Sequence, residues 1–155
     1  MDPLTSEFWI MIGVSILCGG IVGFERQMRG KPAGIRTNIL ICLGTTIFIQ
    51  LSTLYTGQNT DMTRVLGQVV TGIGFLGAGV ILARGGRVQG VTSAAVIWTL
   101  AGIGSMIGFG HFAAAIALSI VTVGILTVIE YLELNLRWFR REERPHRDEF
   151  TSREQ

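Results

Sequence analysis

Charge is scarce in this sequence. Only 15% of its 155 residues are Asp, Glu, Lys or Arg, against about 25% in a soluble domain, too few to coat a water-facing surface of that size. Cysteine is almost missing, at two residues, which excludes a disulfide-stapled scaffold. The charges nearly cancel, to a formal net of +2, too small a surplus to draw nucleic acid. What the chain has instead is apolar surface and glycine. Hydrophobic residues reach 48%, glycine numbers 21, and mean hydropathy is +0.48. That content excludes a disordered chain and points to an integral membrane protein.

The charges fall in clumps separated by long uncharged runs. Phe8 to Phe24, Thr37 to Tyr55 and Val65 to Ala83 each carry no formal charge, and neither does Val91 to Ile129. A bilayer core of ~30 Å takes about 20 helical residues at 1.5 Å each, so the last run holds two spans, divided at Gly108-Phe109-Gly110-His111. Lipid cannot hydrogen-bond a backbone, which leaves helices or closed barrels. Runs such as Ala113 to Leu118 are apolar at every position and lack strand alternation. The fold class is therefore all-α, a polytopic bundle of about five transmembrane helices over residues 8–24, 37–55, 65–83, 91–108 and 112–132. The leader Met1 to Glu7 holds Asp2 and Glu7 and no basic residue, unlike a signal peptide, so the first span is expected to be retained.

Five spans put 12 of the 13 Lys and Arg residues on one side, with Arg64 alone on the other. The inside preference of basic residues then predicts an external N-terminus and a cytoplasmic C-terminus. Residues 1–136 read as the transmembrane domain and 137–155 as a basic, polar cytoplasmic tail. Ile129, Leu132, Leu136 and Phe139 keep helical spacing, so the fifth helix is expected to continue to the interface, anchored by Trp138.

Little in the chain resembles catalytic chemistry. Gly72-Ile73-Gly74-Phe75-Leu76-Gly77 matches a dinucleotide fingerprint, but it lies mid-span, and Thr92 stands where the acidic ribose ligand belongs. Close helix packing is the better reading, because small residues let helices approach in lipid. Gly19 and Gly23 with Ser15, then Gly72, Gly74, Gly77 and Gly79, then Gly104-xxx-Gly108 are the candidate contact positions, within the chain or between copies. His111 and His146 lie far apart, and Cys18 and Cys42 sit inside spans. No metal cluster, cofactor site or nucleophile–base pair is expected, and neither is enzyme activity. The spans hold no Asp or Glu, the usual mark of an ion pathway.

The suggestive cluster lies at the basic rim. Glu25 and Arg26 close span one, Arg36 and Thr37 open span two, and Arg87, Thr92 and Ser93 lie at the opening of span four. Thr37 and Thr92 are candidate helix caps. An arginine at a helix N-terminus opposes the macrodipole unless an anion joins it. Glu25 or a lipid phosphate could be that anion. The alternative is that these arginines only set topology.

The motifs Gly20-xx-Gly23-Phe24-Glu25-Arg26, Lys31-Pro32-Ala33-Gly34-Ile35-Arg36-Thr37, Gly72 to Ile81 and Gly90-Val91-Thr92-Ser93-Ala94-Ala95, in that order, resemble the MgtC/SapB family over about residues 10–130. The resemblance implies a multi-pass protein of the bacterial inner membrane. It also implies a link to growth under magnesium limitation and, in pathogens, to survival inside host cells. Many members carry an ACT-like domain after the membrane region, and here about twenty polar residues follow Leu136. The expected function is a regulatory or interaction role exercised through helix contacts, with the bilayer, a second copy (a homodimer or other homo-oligomer) or another inner-membrane protein as partner. The alternative is a magnesium transporter or channel.

Overall fold

A computed structural model describes residues 5–54, 62–84 and 87–141. The helices are α1 (Ser6–Met28), α2 (Ile35–Leu54), α3 (Met62–Gly79), α4 (Val91–Gly108) and α5 (Phe112–Arg141). Four of them are long and apolar enough to cross a membrane: Ser6–Met28, Ile35–Leu54, Val91–Gly108 and the stretch Phe112–Asn135 of α5. The fifth, α3, has 18 residues and includes Arg64, Gln68 and five glycines. It ends at Gly79, four residues short of the predicted span, because the chain there enters a short antiparallel hairpin, β1 (Leu82–Arg84) with β2 (Arg87–Gln89). This ribbon is an addition to the all-α expectation. Its sequence signal is Gly85-Gly86 between Arg84 and Arg87, a pair that favours a two-residue connection. The hairpin returns into α4 through Gly90, whose φ is +92° and where a Cβ would overlap the Val80 carbonyl oxygen, so only glycine fits.

By packing the chain divides into Met1–Val123 and Gly124–Gln155. In the second unit the described part is the remainder of α5, which continues beyond the span end at 132 to Arg141, as the helical spacing of Ile129, Leu132, Leu136 and Phe139 predicts. Residues 142–155 of the predicted tail lie outside the described residues.

Within the first unit α2 is central, touching α1 on one side, α4 on another and α3 on a third. Glycines set how closely it is approached. A Cβ at Gly19 would stand 2.6 Å from Ile39 Cα, and one at Gly23 would stand 2.7 Å from Ile35 Cα. On the other flank, Gly104 comes as close to Cys42 O and Gly108 to Ile49 Cβ, each at 2.6 Å from a built Cβ. These are backbone-on-backbone seams, and in lipid, dispersion across such seams replaces the missing hydrophobic drive. Hydroxyls stitch them. Ser15 Oγ lies 3.1 Å from Thr46 Oγ1, which in turn lies 3.0 Å from Gly104 O. One chain of hydrogen bonds thus links α1, α2 and α4 inside a fully buried interior. Helix α5 packs through Ala115 and Ser119, both 0% exposed, while Ile120 and Val121 face outward, as lipid contact allows.

The expected side of each loop has a direct check. Reporter fusions after Lys31 and after Arg87 should report the same side of the membrane, and a fusion after His111 the opposite one. Opposite signals from Lys31 and Arg87 would mean that α3 does not cross.

Candidate functional site

The rim is built around the turn from α1 to α2. Gly30 takes φ +60° just past α1, and the N–H groups of Gly30 and Lys31 donate back to Gln27 O (3.1 Å) and Arg26 O (3.0 Å). That is a Schellman closure, which satisfies the last carbonyls and calls for glycine at its left-handed position. Ala33 is also left-handed, at φ +62°, a conformation that costs a residue with a Cβ roughly 1–2 kcal/mol. It is held by Asn38, whose Nδ2 donates to Ala33 O at 2.8 Å. The side chain of Gln27 reaches across the turn, and its Oε1 accepts from Ile35 N at 3.3 Å. The N-terminus of α2 is therefore capped from α1.

This corrects the capping expectation. Helix α2 begins at Ile35, so Thr37 stands inside its first turn, exposed. In α4 the cap position is Gly90, with no side-chain cap bond. Thr92 is exposed and Ser93 is buried. Arg87 belongs to β2, and its side chain lies outside the described residues.

The charges at the end of α1 form a closed cluster. Glu25 and Arg26 are buried, 8% and 2% exposed. Arg26 forks onto the carboxylate, Nε to Oε2 and Nη2 to Oε1 at 2.7 Å, and Arg29 Nε adds a second contact to Oε1, also at 2.7 Å. Of the two anions the sequence allows Arg36, Glu25 and a lipid phosphate, Glu25 is not used. Two guanidiniums on the carboxylate's own helix already occupy its oxygens, while Arg36 is exposed and forms no ion pair among the described residues. A bidentate arginine contact is the strong form of such a pair, and a buried one has to be complete to be tolerated.

Among the described residues no group of three His, Cys, Asp or Glu could hold a metal ion. Asn38 Oδ1 is, among the described residues, a buried polar atom without a hydrogen-bond partner. Gln27 and Asn38 shape the turn, yet the sequence does not single them out. Asn38 had a readable signal, an amide inside an apolar run, whereas Gln27 had none.

The candidate contact glycines separate into two groups. Gly19 and Gly23 lie in the α1–α2 seam already described. Gly77 meets Ala94 Cβ at an ordinary 3.6 Å, but Gly72, Gly74 and Gly79 have no neighbour within 4 Å of a built Cβ. Gly72, Gly74 and Gly79 thus make no close contact within the described chain. Phe75 beside them is 82% exposed. Between α2 and α3 runs an apolar groove of about 590 Å³ with Leu40, Phe48, Val69, Ile73 and Leu76 in its walls.

Three relatives and a family description accompany this geometry. The description "MgtC family" matches residues 12–134. YhiD of Escherichia coli K12, named as a candidate magnesium transporter, is 40% identical over 140 residues, 86% of this chain and 65% of that protein. Protein MgtC of Brucella abortus is 41% identical over 126 residues, 81% of this chain and 51% of its own. Protein MgtC of Salmonella typhimurium is 45% identical over 107 residues, 69% and 46%. The chain spans about half to two thirds of the length of these relatives. No solved structure matches it.

Proposed function

The chain belongs to the MgtC family, and from that membership and the closed chemistry of its rim we propose a non-catalytic role in the bacterial inner membrane. In this reading the protein acts through helix contacts with a second copy or another membrane protein, in the physiology of magnesium limitation. The magnesium link comes from the name of one relative, YhiD, a candidate magnesium transporter. The observation that carries the interaction reading is the state of Glu25. Magnesium is held by oxygen ligands, carboxylates foremost, that can replace part of its hydration shell. Both oxygens of this buried carboxylate already accept from guanidiniums of Arg26 and Arg29. Three guanidinium contacts take up most of its roughly four lone-pair sites, so it serves as a clamp on the helix end. The alternative, cation passage, has two observations in its favour: the relative YhiD is named as a candidate magnesium transporter, and Asn38 Oδ1 is unpaired among the described residues.

The open face of α3 is the proposed contact surface, since Gly74 and Gly79 are bare and Phe75 is exposed. Small residues flanking an aromatic suit a partner helix in lipid. The test is Gly74→Leu, which enters open space and so leaves the fold intact. In a deletion strain grown at limiting magnesium, Gly74→Leu should reach normal membrane abundance and fail to rescue. Full rescue, together with a protein that stays monomeric under crosslinking in native membranes, would contradict the proposal.

A further inference from the structure

The groove between α2 and α3 has dimensions and a mouth that the contact reading does not use. Its α2 wall runs from Thr37 to Phe48 and its α3 wall from Leu76 back to Val65. Eleven residue steps at 1.5 Å make each wall about 17 Å long, close to half of the ~30 Å hydrocarbon core. The groove is therefore one leaflet deep, beginning at the basic rim. Gly44 and Gly72 keep it open, because neither has any atom within 4 Å of a built Cβ. The walls are apolar except for Thr37 at the mouth and Thr45 and Gln68 further in. Arg36 stands next to Thr37, exposed and without an ion pair among the described residues.

We propose that this groove binds one acyl chain of an anionic phospholipid from the leaflet on the basic side, with the headgroup phosphate held at Arg36 and Thr37. The volume separates this occupant from a helix of a second copy. A helix ~10 Å across and as long as the groove displaces about twice the 590 Å³ on hand. The charge decides between lipids. Among the described residues Arg36 has no carboxylate partner, because Glu25 is taken by Arg26 and Arg29. A cation at a helix N-terminus is unfavourable until an anion joins it. A phosphate offers two oxygens that accept in parallel from the planar guanidinium fork, and basic residues at the interface select anionic headgroups. The proposal is independent of whether the protein regulates or transports, and the residues that test it lie off the Gly74 face.

The experiment is native mass spectrometry of the purified full chain, equilibrated in mild detergent with equal phosphatidylglycerol and phosphatidylcholine. The wild type should retain one phosphatidylglycerol per chain in preference to phosphatidylcholine. Arg36→Gln should lower that preference by roughly five- to tenfold while still retaining lipid. Gly44→Leu and Gly72→Leu enter the groove from its two walls at positions where a Cβ meets nothing within 4 Å, and each should lose the bound lipid at unchanged helical content. As a second measurement, Phe48→Trp should be quenched more strongly by phosphatidylglycerol with brominated chains than by the matching phosphatidylcholine. Equal retention of the two lipids by the wild type, or retention unchanged in both glycine variants, would overturn the proposal. So would a crosslink between copies through Gly44→Cys and Gly72→Cys, which would place a helix in the groove.

Discussion

Glu25→Gln should cost the folded chain about 3–5 kcal/mol, the usual penalty for stranding one member of a buried ion pair. The carboxylate is the sole ion-pair partner of Arg26 among the described residues, and Arg26 is 2% exposed. Once the charge is gone, the guanidinium stays at low dielectric with weakened acceptors. The double change Glu25→Met with Arg26→Met should recover most of the loss, because two apolar side chains of similar length replace the pair without leaving a charge behind. Arg29, partly exposed, can turn to water in either variant. Loss of helical circular dichroism on heating in mild detergent measures all three. A Glu25→Gln protein that melts with the wild type would show that the cluster is solvated, and the clamp would have to be abandoned.

The second large effect is a contrast of sign among glycines. Gly104→Val should destabilise by about 1–3 kcal/mol or more, as overpacking does, because its new Cβ would stand 2.6 Å from Cys42 O and 2.9 Å from Thr45 Cβ. Backbone cannot step aside as a flexible side-chain end can, and the Thr46 bond to Gly104 O sits in the same seam. Gly19→Val should behave alike, facing Ile39 Cα at 2.6 Å. Gly44→Ala and Gly74→Ala meet nothing within 4 Å and should gain up to ~1 kcal/mol each through helix propensity alone. The measurement is the same thermal unfolding. Equal losses at all four positions would mean that glycine content, and not the α1–α2–α4 seams, governs stability.

How much of this was legible beforehand depends on which kind of information each feature needs. Helix α4 occupies the predicted residues 91–108 because its limits are written locally, in Gly90 and in Gly108-Phe109-Gly110. The small-residue spacing at Ser15, Gly19 and Gly23, and at Gly104 and Gly108, pointed to real seams, since period-four spacing puts those residues on one helix face. The same spacing at Gly74 led elsewhere, because spacing gives a face and not what lies opposite it. The rim's composition was plain in the sequence, but its pairing was not. The sequence allows Glu25 or a lipid phosphate as the anion for Arg36, whereas Arg29, four residues after Glu25 at the C-cap of α1, reaches the carboxylate first. The role of Gln27 depends on how α1 and α2 cross, which no local pattern records.

The central claim is that this membrane protein works by contact, with its rim carboxylate committed to internal arginines. Magnesium flux into liposomes containing the purified full chain tests it most directly. The expected result is uptake equal to that of protein-free liposomes, with wild type and Glu25→Gln alike. Saturable magnesium uptake by the wild type above that of protein-free liposomes would contradict the claim, whatever Glu25→Gln does.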